Sequence, residues 1–287
     1  MEFQQEKYLN KLHSDILSVM DEIDRICRKY DLKYYLIGGT LLGAVRHGGF
    51  IPWDDDLDIV MPREDMNKFI DIAAQELQKE FQLEWFTSKK YYYQYFPKVS
   101  LKNTVFYQAG LADCCQSGIF VDIFPLDFSP IYTPWLDRQK QIIRNLYSIR
   151  IARCLIKKTP KLRFYTFLSY LLGSNILDYL SNRVLRNVAS RGRECYANFG
   201  SQYSIKKQTM PIEWYGDGVE IQFNGHIYIA PIDKDKILNS IFGPKYMQLP
   251  PEDKRRTHYP LWVKFSDETI MKFEEPKKRL TVKEQES

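Results

Sequence analysis

The chain has 287 residues, 44% hydrophobic and 15% aromatic, which excludes a disordered or fibrous class and suits one large or two small globular domains. Its net charge of +5 is unevenly spread: from Arg138 to Arg193 there are 13 Lys/Arg against one acid, Asp178, and the rest of the chain is acidic on balance. Five cysteines with no CxxC spacing suggest neither a disulfide framework nor a zinc site, and reduced thiols are expected.

Taken in chain order, Leu9, Leu12, Ile16, Val19, Ile23, Ile26 and Tyr30 recur at three- and four-residue steps, predicting an amphipathic helix. That N-terminal stretch is charged throughout and lacks a signal-peptide core. Asp31 breaks its pattern, KYYLIGG reads as a strand entering a tight turn, and LLGAVRH reads as one or two helical turns. GGF-IP is turn chemistry and LDIVM is strand-like up to Pro62. Residues 64–81 are expected to be helical on Met66, Phe69, Ile70, Ala73, Leu77 and Phe81. LEWFT and YYYQYFPKVSLKNTVFY read as strands broken at Pro97 and Asn103, and GIFVDIFPLDF as a buried strand with Asp122 among apolar neighbours. Trp135 to Arg193 reads as helical and basic. VEIQFNGHIYIA reads as a hairpin turning at Asn224-Gly225, and DKDKILNSIFG as a short helix. The last dozen residues are expected to fray.

This layout predicts a mixed α/β (α+β) chain: a core over 1–134, a basic helical insertion over 135–200, and C-terminal strands with a basic tail over 201–287 completing the core. The longest uncharged run, 164–177, spans 14 residues, short of the roughly 20 a membrane-spanning helix needs. A soluble or peripheral protein is expected.

The chemistry concentrates in Asp54-Asp55-Asp56-Leu57-Asp58, four carboxylates in five residues. On a strand, alternate side chains share a face, so Asp56 and Asp58 point together while Leu57 and Ile59 face the core. Two such carboxylates suit a hard cation, Mg²⁺ or Mn²⁺, and leave room for a substrate phosphate. Asp122, flanked by apolar residues that would otherwise bury its charge at a cost, is the natural third ligand. An EF-hand would want Gly where Ile59 stands and Glu where Asp65 stands, so that template fails. A solvated acidic turn and an Asp-x-Asp glycosyltransferase using a nucleotide sugar are the competing readings. Upstream, Gly38-Gly39-Thr40 at a strand end brings backbone N–H groups, and a hydroxyl, close to an anion. A phosphate turn followed by Asp-x-Asp and a later strand aspartate is the constellation of nucleotidyltransferase-fold enzymes.

The run GGTLLGAVRHGGFIPWDDDLDIVMPRED resembles the signature of the LicD family, phosphocholine transferases of bacterial surface glycans, with the fukutin-type ribitol-phosphate transferases as distant relatives. FPKVSLKNT, GIFVDIFPLDF and, more loosely, FGPKYMQLPPEDKRRTH extend the resemblance over roughly residues 20–128 and 215–260; the stretch 135–200 inherits nothing from it. The resemblance implies a polymerase-β-like nucleotidyltransferase core acting on CDP-choline or a similar CDP-alcohol. The acceptor is a hydroxyl of a glycan or lipid-linked glycan of lipopolysaccharide, teichoic acid or capsule type, and CMP is released. Asp56, Asp58 and Asp122 match the metal and catalytic carboxylates, and Gly38, Gly39 and Thr40 the phosphate turn. Trp53, Asp54 and Asp55 match an acidic approach that supports them. Arg46, His47 and Lys98 are candidate donors to the phosphates.

Choline carries a permanent cation that aromatic faces recognise, so Trp53, Tyr93 and Tyr95 are candidates for a cage, against the plainer reading of tyrosines alternating between core and solvent. Arg255, Arg256 and His258 form a second basic cluster that closes over the donor or stands as a solvated loop. The basic, aromatic section at 138–193 suits either packing on the core or peripheral contact with an anionic membrane at the cytoplasmic face. No nucleic-acid motif accompanies its charge.

Overall fold

The structure is a computed structural model that describes residues 2–89, 91–252, 255, 257 and 260–273. The expected frayed end, and Arg256 and His258 of the basic cluster, lie outside the described residues.

Helix α1 (Glu2–Tyr30) buries Leu9, Leu12, Ile16, Val19, Ile23 and Ile26, the positions that recur at helical spacing. It packs across the central sheet, and Leu32 N–H donates to Cys27 O as the chain leaves it. Strand β1 (Tyr35–Leu36) leads into α2 (Gly38–His47), and an extended approach leads into β2 (Asp58–Pro62). Helix α3 (Arg63–Glu76) ends five residues before its expected boundary at Phe81. The reason is tertiary: Leu77 is extended at ψ 129°, Arg25 donates to Glu76 O at 2.8 Å, and the Gln78 N–H donates to Glu22 at 2.8 Å. Phe81 then opens β3 (Phe81–Glu84).

Strands β4 (Lys98–Leu101), β5 (Val105–Tyr107) and β6 (Phe120–Ser129) follow. Residues 91–96 form no strand, contrary to expectation: neighbouring Tyr92 and Tyr93 are both buried, and the Tyr92 hydroxyl donates to Phe96 O at 2.7 Å. The central sheet runs β1-β2-β6-β4-β3. Its β2–β6 pair is parallel and its other pairs along this path are antiparallel, so the sheet is mixed.

Helices α4 (Pro134–Ile151) and α5 (Pro160–Ala189) pack on each other, and α5 is broken at Gly173, which sits at φ 69°, ψ 168°. Strand β7 (Cys195–Ala197) pairs with the end of β6, then α6 (Ile205–Gln208) and β8 (Thr209–Pro211) return to it. The hairpin β9 (Val219–Phe223) and β10 (His226–Ala230) turns at Asn224-Gly225 as expected, with φ 50° and 86°, followed by α7 (Lys234–Phe242). Strands β11 (Trp262–Lys264) and β12 (Ile270–Lys272) extend β5 into a separate three-stranded sheet. Among the described residues, no helix is long and apolar enough to cross a membrane.

The hairpin is tied to the turn that follows α2. The Asn224 N–H donates to Gly48 O at 2.7 Å, and Asn224 Oδ1 accepts from the Phe50 N–H at 2.8 Å. A Cβ on Gly49 would lie 1.6 Å from that oxygen and 3.1 Å from the Asn224 nitrogen, so Gly49→Ala forces the turn apart. Such overpacking costs about 1–3 kcal/mol. Thermal unfolding of Gly49→Ala is expected to show Tm lowered by several degrees, and an unchanged Tm would mean that hairpin and turn are not locked.

Candidate active site

A cleft of about 610 Å³ opens at the N-terminal end of α2 and the start of β2. That volume suits a small-molecule ligand. Ile37 stays extended at φ −142° and Gly38 takes φ 58°, so the chain turns sharply from β1 into α2. The first turn of α2 carries no acid and no side-chain cap, which leaves its N–H groups directed to whatever lies beyond the helix end. Gly38 and Gly39 both line the cleft. Gly39 also makes room for Asp54, whose Oδ2 would lie 2.8 Å from a Cβ built there. Thr40 is buried and accepts the Asp58 N–H at 2.9 Å, which fixes β2 against the helix end.

Sheet register assembles the carboxylates. Asp58 and Asp122 are direct partners on the parallel strands β2 and β6, and both line the cleft with Asp54 and Asp56. Burial first, then the charges of Asp56, Asp122 and Asp54, push the Asp58 carboxyl well above the usual range. Asp122 is also raised, by burial, against the opposing pull of Lys98. Lys98 stands across from Asp122 on antiparallel β4, and its Nζ lies 2.5 Å from Asp122 Oδ1. The contact is an ion pair without hydrogen-bond geometry, since Oδ1 has no hydrogen-bond partner among the described residues. The lysine is buried with its Nζ 3.4 Å from the Phe120 ring centroid. Lys98 therefore neutralises the third carboxylate instead of reaching into the cleft.

Behind the cleft, the acidic approach is held from α1. His13 stacks on Phe50 with centroids 3.8 Å apart, and its Nε2 lies 2.8 Å from Asp54 O. Burial lowers its pKa, so a neutral imidazole with its proton on Nε2 donates there. The Tyr8 hydroxyl donates to the buried Asp55 at 3.4 Å. No periodicity marks either residue as part of a site, since both sit on the buried face of an ordinary amphipathic helix.

The rest of the lining comes largely from sequence to which the resemblance gave no role. Helix α4 supplies Ile143, Arg144 and Tyr147, and the loop after β7 supplies Asn198 through Tyr203. Asn198 Oδ1 accepts the N–H groups of Gly200 and Ser201 at 2.9 and 3.0 Å, and Lys140 donates to Ser201 O at 2.7 Å and to Tyr203 O, which fixes the loop's shape. A Cβ on Gly200 would strike the Tyr95 ring at 2.3 Å. Tyr95 meets Tyr147 edge to face at 5.2 Å and 88°, beside Phe96 at 5.2 Å. Among the described residues, Arg144 is the one Lys or Arg in this lining.

The remaining candidates sit elsewhere. Of the trio proposed as a cage, Tyr95 lines the cleft, whereas Tyr93 is buried with Leu111, Cys115 and Cys154, and Trp53 stands behind the acidic loop with Arg255 5.0 Å from its ring centroid. Arg46 and His47 close the far end of α2, roughly 12 Å along the helix from Gly38. Arg46 donates to Tyr246 O at 3.0 Å, Gln248 O at 3.2 Å and His47 Nε2 at 2.9 Å. These contacts hold the C-terminal segment to α2. The tail is joined to the acidic loop as well, through Thr257 Oγ1 donating to Trp53 O at 2.7 Å.

A hard cation is compatible with Asp56 and Asp58 on the grounds of charge: Asp58 is desolvated and the neighbouring charge of Asp56 raises its proton affinity, the condition that a divalent ion relieves. Among the described residues no group of three His, Cys, Asp or Glu is arranged to hold a metal. Mg²⁺ commonly uses one or two carboxylates and completes its shell with water and substrate phosphate.

Residues 31–160 match the family model described as LicD/FKTN/FKRP, nucleotidyltransferase domain. The chain is 28% identical over 263 residues to the lipopolysaccharide cholinephosphotransferase LicD of Haemophilus influenzae, covering 85% of this chain and 92% of that one. The ribitol 5-phosphate transferases FKRP of mouse and human are 54% identical over 35 residues, 12% of this chain and 7% of theirs.

Proposed function

We propose that this chain, whose residues 31–160 belong to the LicD family, transfers phosphocholine or a related phospho-alcohol from a CDP-linked donor to a hydroxyl of a surface-glycan precursor. The observation that carries this reading is one cleft with two unlike sets of lining residues: paired carboxylates beside an uncapped helix start, and edge-to-face tyrosines with Arg144. The helix start, the carboxylates through a divalent cation, and Arg144 suit a diphosphate, and the tyrosines suit a cationic or polyol head group.

In this reading Gly38 and Gly39 receive a donor phosphate on backbone N–H groups, and Arg144 pairs with phosphate charge. Asp56 and Asp58 hold Mg²⁺ or Mn²⁺, which supplies charge neutralisation at the diphosphate and the departing CMP. The acceptor oxygen forms a bond to the choline-bearing phosphorus as the bond from that phosphorus to the bridging oxygen breaks. Asp122, kept basic enough by burial and steadied by Lys98, takes the hydroxyl proton. Tyr95 and Tyr147, whose phenols burial keeps protonated, face the head group.

Thermal unfolding with CDP-choline, CDP-ribitol and UDP-glucose, each with and without Mg²⁺, tests the assignment. A ligand at a hundredfold excess over Kd stabilises by about 2.7 kcal/mol. A Mg²⁺-dependent rise with a CDP-alcohol and none with UDP-glucose is expected; the reverse pattern would hand the cleft to a nucleotide-sugar glycosyltransferase.

A further inference from the structure

Helix α5 is amphipathic in the wrong sense for a helix that faces water. Its inward residues include Ser169, fully buried, and Thr166, whose hydroxyl donates to Ala152 O at 3.1 Å. Its outward face carries Phe164, Phe167 and Leu171, exposed at 58%, 62% and 66%. At 100° per residue these three side chains fall within about 60° of one another, a continuous apolar stripe. Tyr170 lies beside it, with Arg153 5.7 Å from its ring centroid. Exposed apolar residues scattered singly need no explanation, but three in register on one solvent face do.

Charge says what covers the stripe. Lys161 and Arg163 flank it on the same helix, and Lys157 and Lys158 precede it in the turn that leads in. The one acid between Arg138 and Arg193, Asp178, is drawn inward, 3.8 Å from buried Arg150. An apolar stripe rimmed by uncompensated bases fits the interface of an anionic bilayer, where aromatic and aliphatic side chains enter the acyl boundary and Lys/Arg meet the headgroups. A second copy of this chain would set base against base. We infer that α5 docks this protein on an anionic membrane surface through Phe164, Phe167 and Leu171, with Lys157, Lys158, Lys161 and Arg163 on the headgroups.

The inference is independent of the donor chemistry. Helix α4 carries Arg144 and Tyr147 to the cleft and packs against α5. An acceptor held in a membrane would then be met by a protein already oriented on it.

Co-sedimentation of the full chain with phosphatidylcholine vesicles, with and without phosphatidylglycerol, is the test. The native chain is expected to pellet with the phosphatidylglycerol vesicles and to stay in solution with phosphatidylcholine alone. Phe164→Ser/Phe167→Ser/Leu171→Ser should weaken partitioning by at least about tenfold at an unchanged Tm. Lys157→Gln/Lys161→Gln should weaken it roughly 25-fold, from about 1 kcal/mol per charge. The inference is overturned if the native chain binds neither vesicle or the serine variant binds as well as the native chain. It is equally overturned if the serine variant loses Tm, or if sedimentation velocity finds a dimer that the serine variant dissolves, which would assign the face to a second copy.

Discussion

Asp58→Asn is expected to lower turnover by about a thousandfold or more, roughly 4 kcal/mol of transition-state stabilisation, while leaving the metal-free protein more stable than the native chain. The two effects have one cause. Asp58 stands among Asp56, Asp122 and Asp54, and burial and those neighbours hold its pKa well above that of an unfolded aspartate. The folded state therefore keeps a proton that the unfolded state has already released. Stability is greatest where both states are protonated, and it declines as pH rises above the unfolded aspartate's range, about 4, toward the raised folded pKa. Asn carries no such charge, so the decline should flatten in the variant. Divalent ion reverses the native decline and should do little for Asp58→Asn. Urea titrations across pH, with and without Mg²⁺, read this directly, with CMP release as the activity assay. Full metal-dependent turnover in Asp58→Asn would sink the assignment of the carboxylate pair, and equal pH slopes in the two proteins would show that Asp58 is not buried among its neighbours.

The parts of this site that could be read from the chain are those set by short-range geometry. Asp56 and Asp58 both line the cleft, although β2 begins only at Asp58 and leaves Asp56 in the segment before it, and Gly38-Gly39 announces a turn that other residues resist. Asp122 was legible because a lone carboxylate in FVDIF needs a reason to be buried, and strand register then placed it beside Asp58. What was hidden depends on tertiary packing. Nothing in the helical repeat of α4 separates the cleft-facing Arg144 and Tyr147 from residues of ordinary amphipathic spacing. The Asn198–Tyr203 wall exists only because a side chain folds its own loop and Lys140 reaches over to hold it. Two expectations about donors also turned on packing. Thr40 meets a backbone N–H, and Arg46 meets backbone carbonyls of the C-terminal segment; a hydroxyl or guanidinium in a motif does not reveal which partner it finds first.

Lys98→Met tests the other half of the electrostatics. The native pair sets a buried ammonium 2.5 Å from the one Asp122 oxygen that has no hydrogen-bond partner among the described residues. Removing the lysine alone leaves a buried carboxylate with its largest favourable influence gone, and such losses run to about 3–5 kcal/mol. Without Lys98 the Asp122 pKa rises further, so the destabilisation should grow as pH rises through the native Asp122 pKa, itself above the ordinary aspartate value, and should shrink in acid. Replacing both partners with apolar residues of similar size removes the stranded charge, so Lys98→Met/Asp122→Leu should recover much of the stability while remaining inactive. Urea denaturation of the two variants and the native chain gives the coupling energy. If Lys98→Met is as stable as the native chain at neutral pH, the buried pair does not form. If the double variant is no better than the single one, Lys98 stabilises through its aromatic neighbours Phe96 and Phe120 instead of through Asp122. A recovered double variant with lost activity separates the two duties of Asp122, since the sheet then tolerates its loss and the reaction does not.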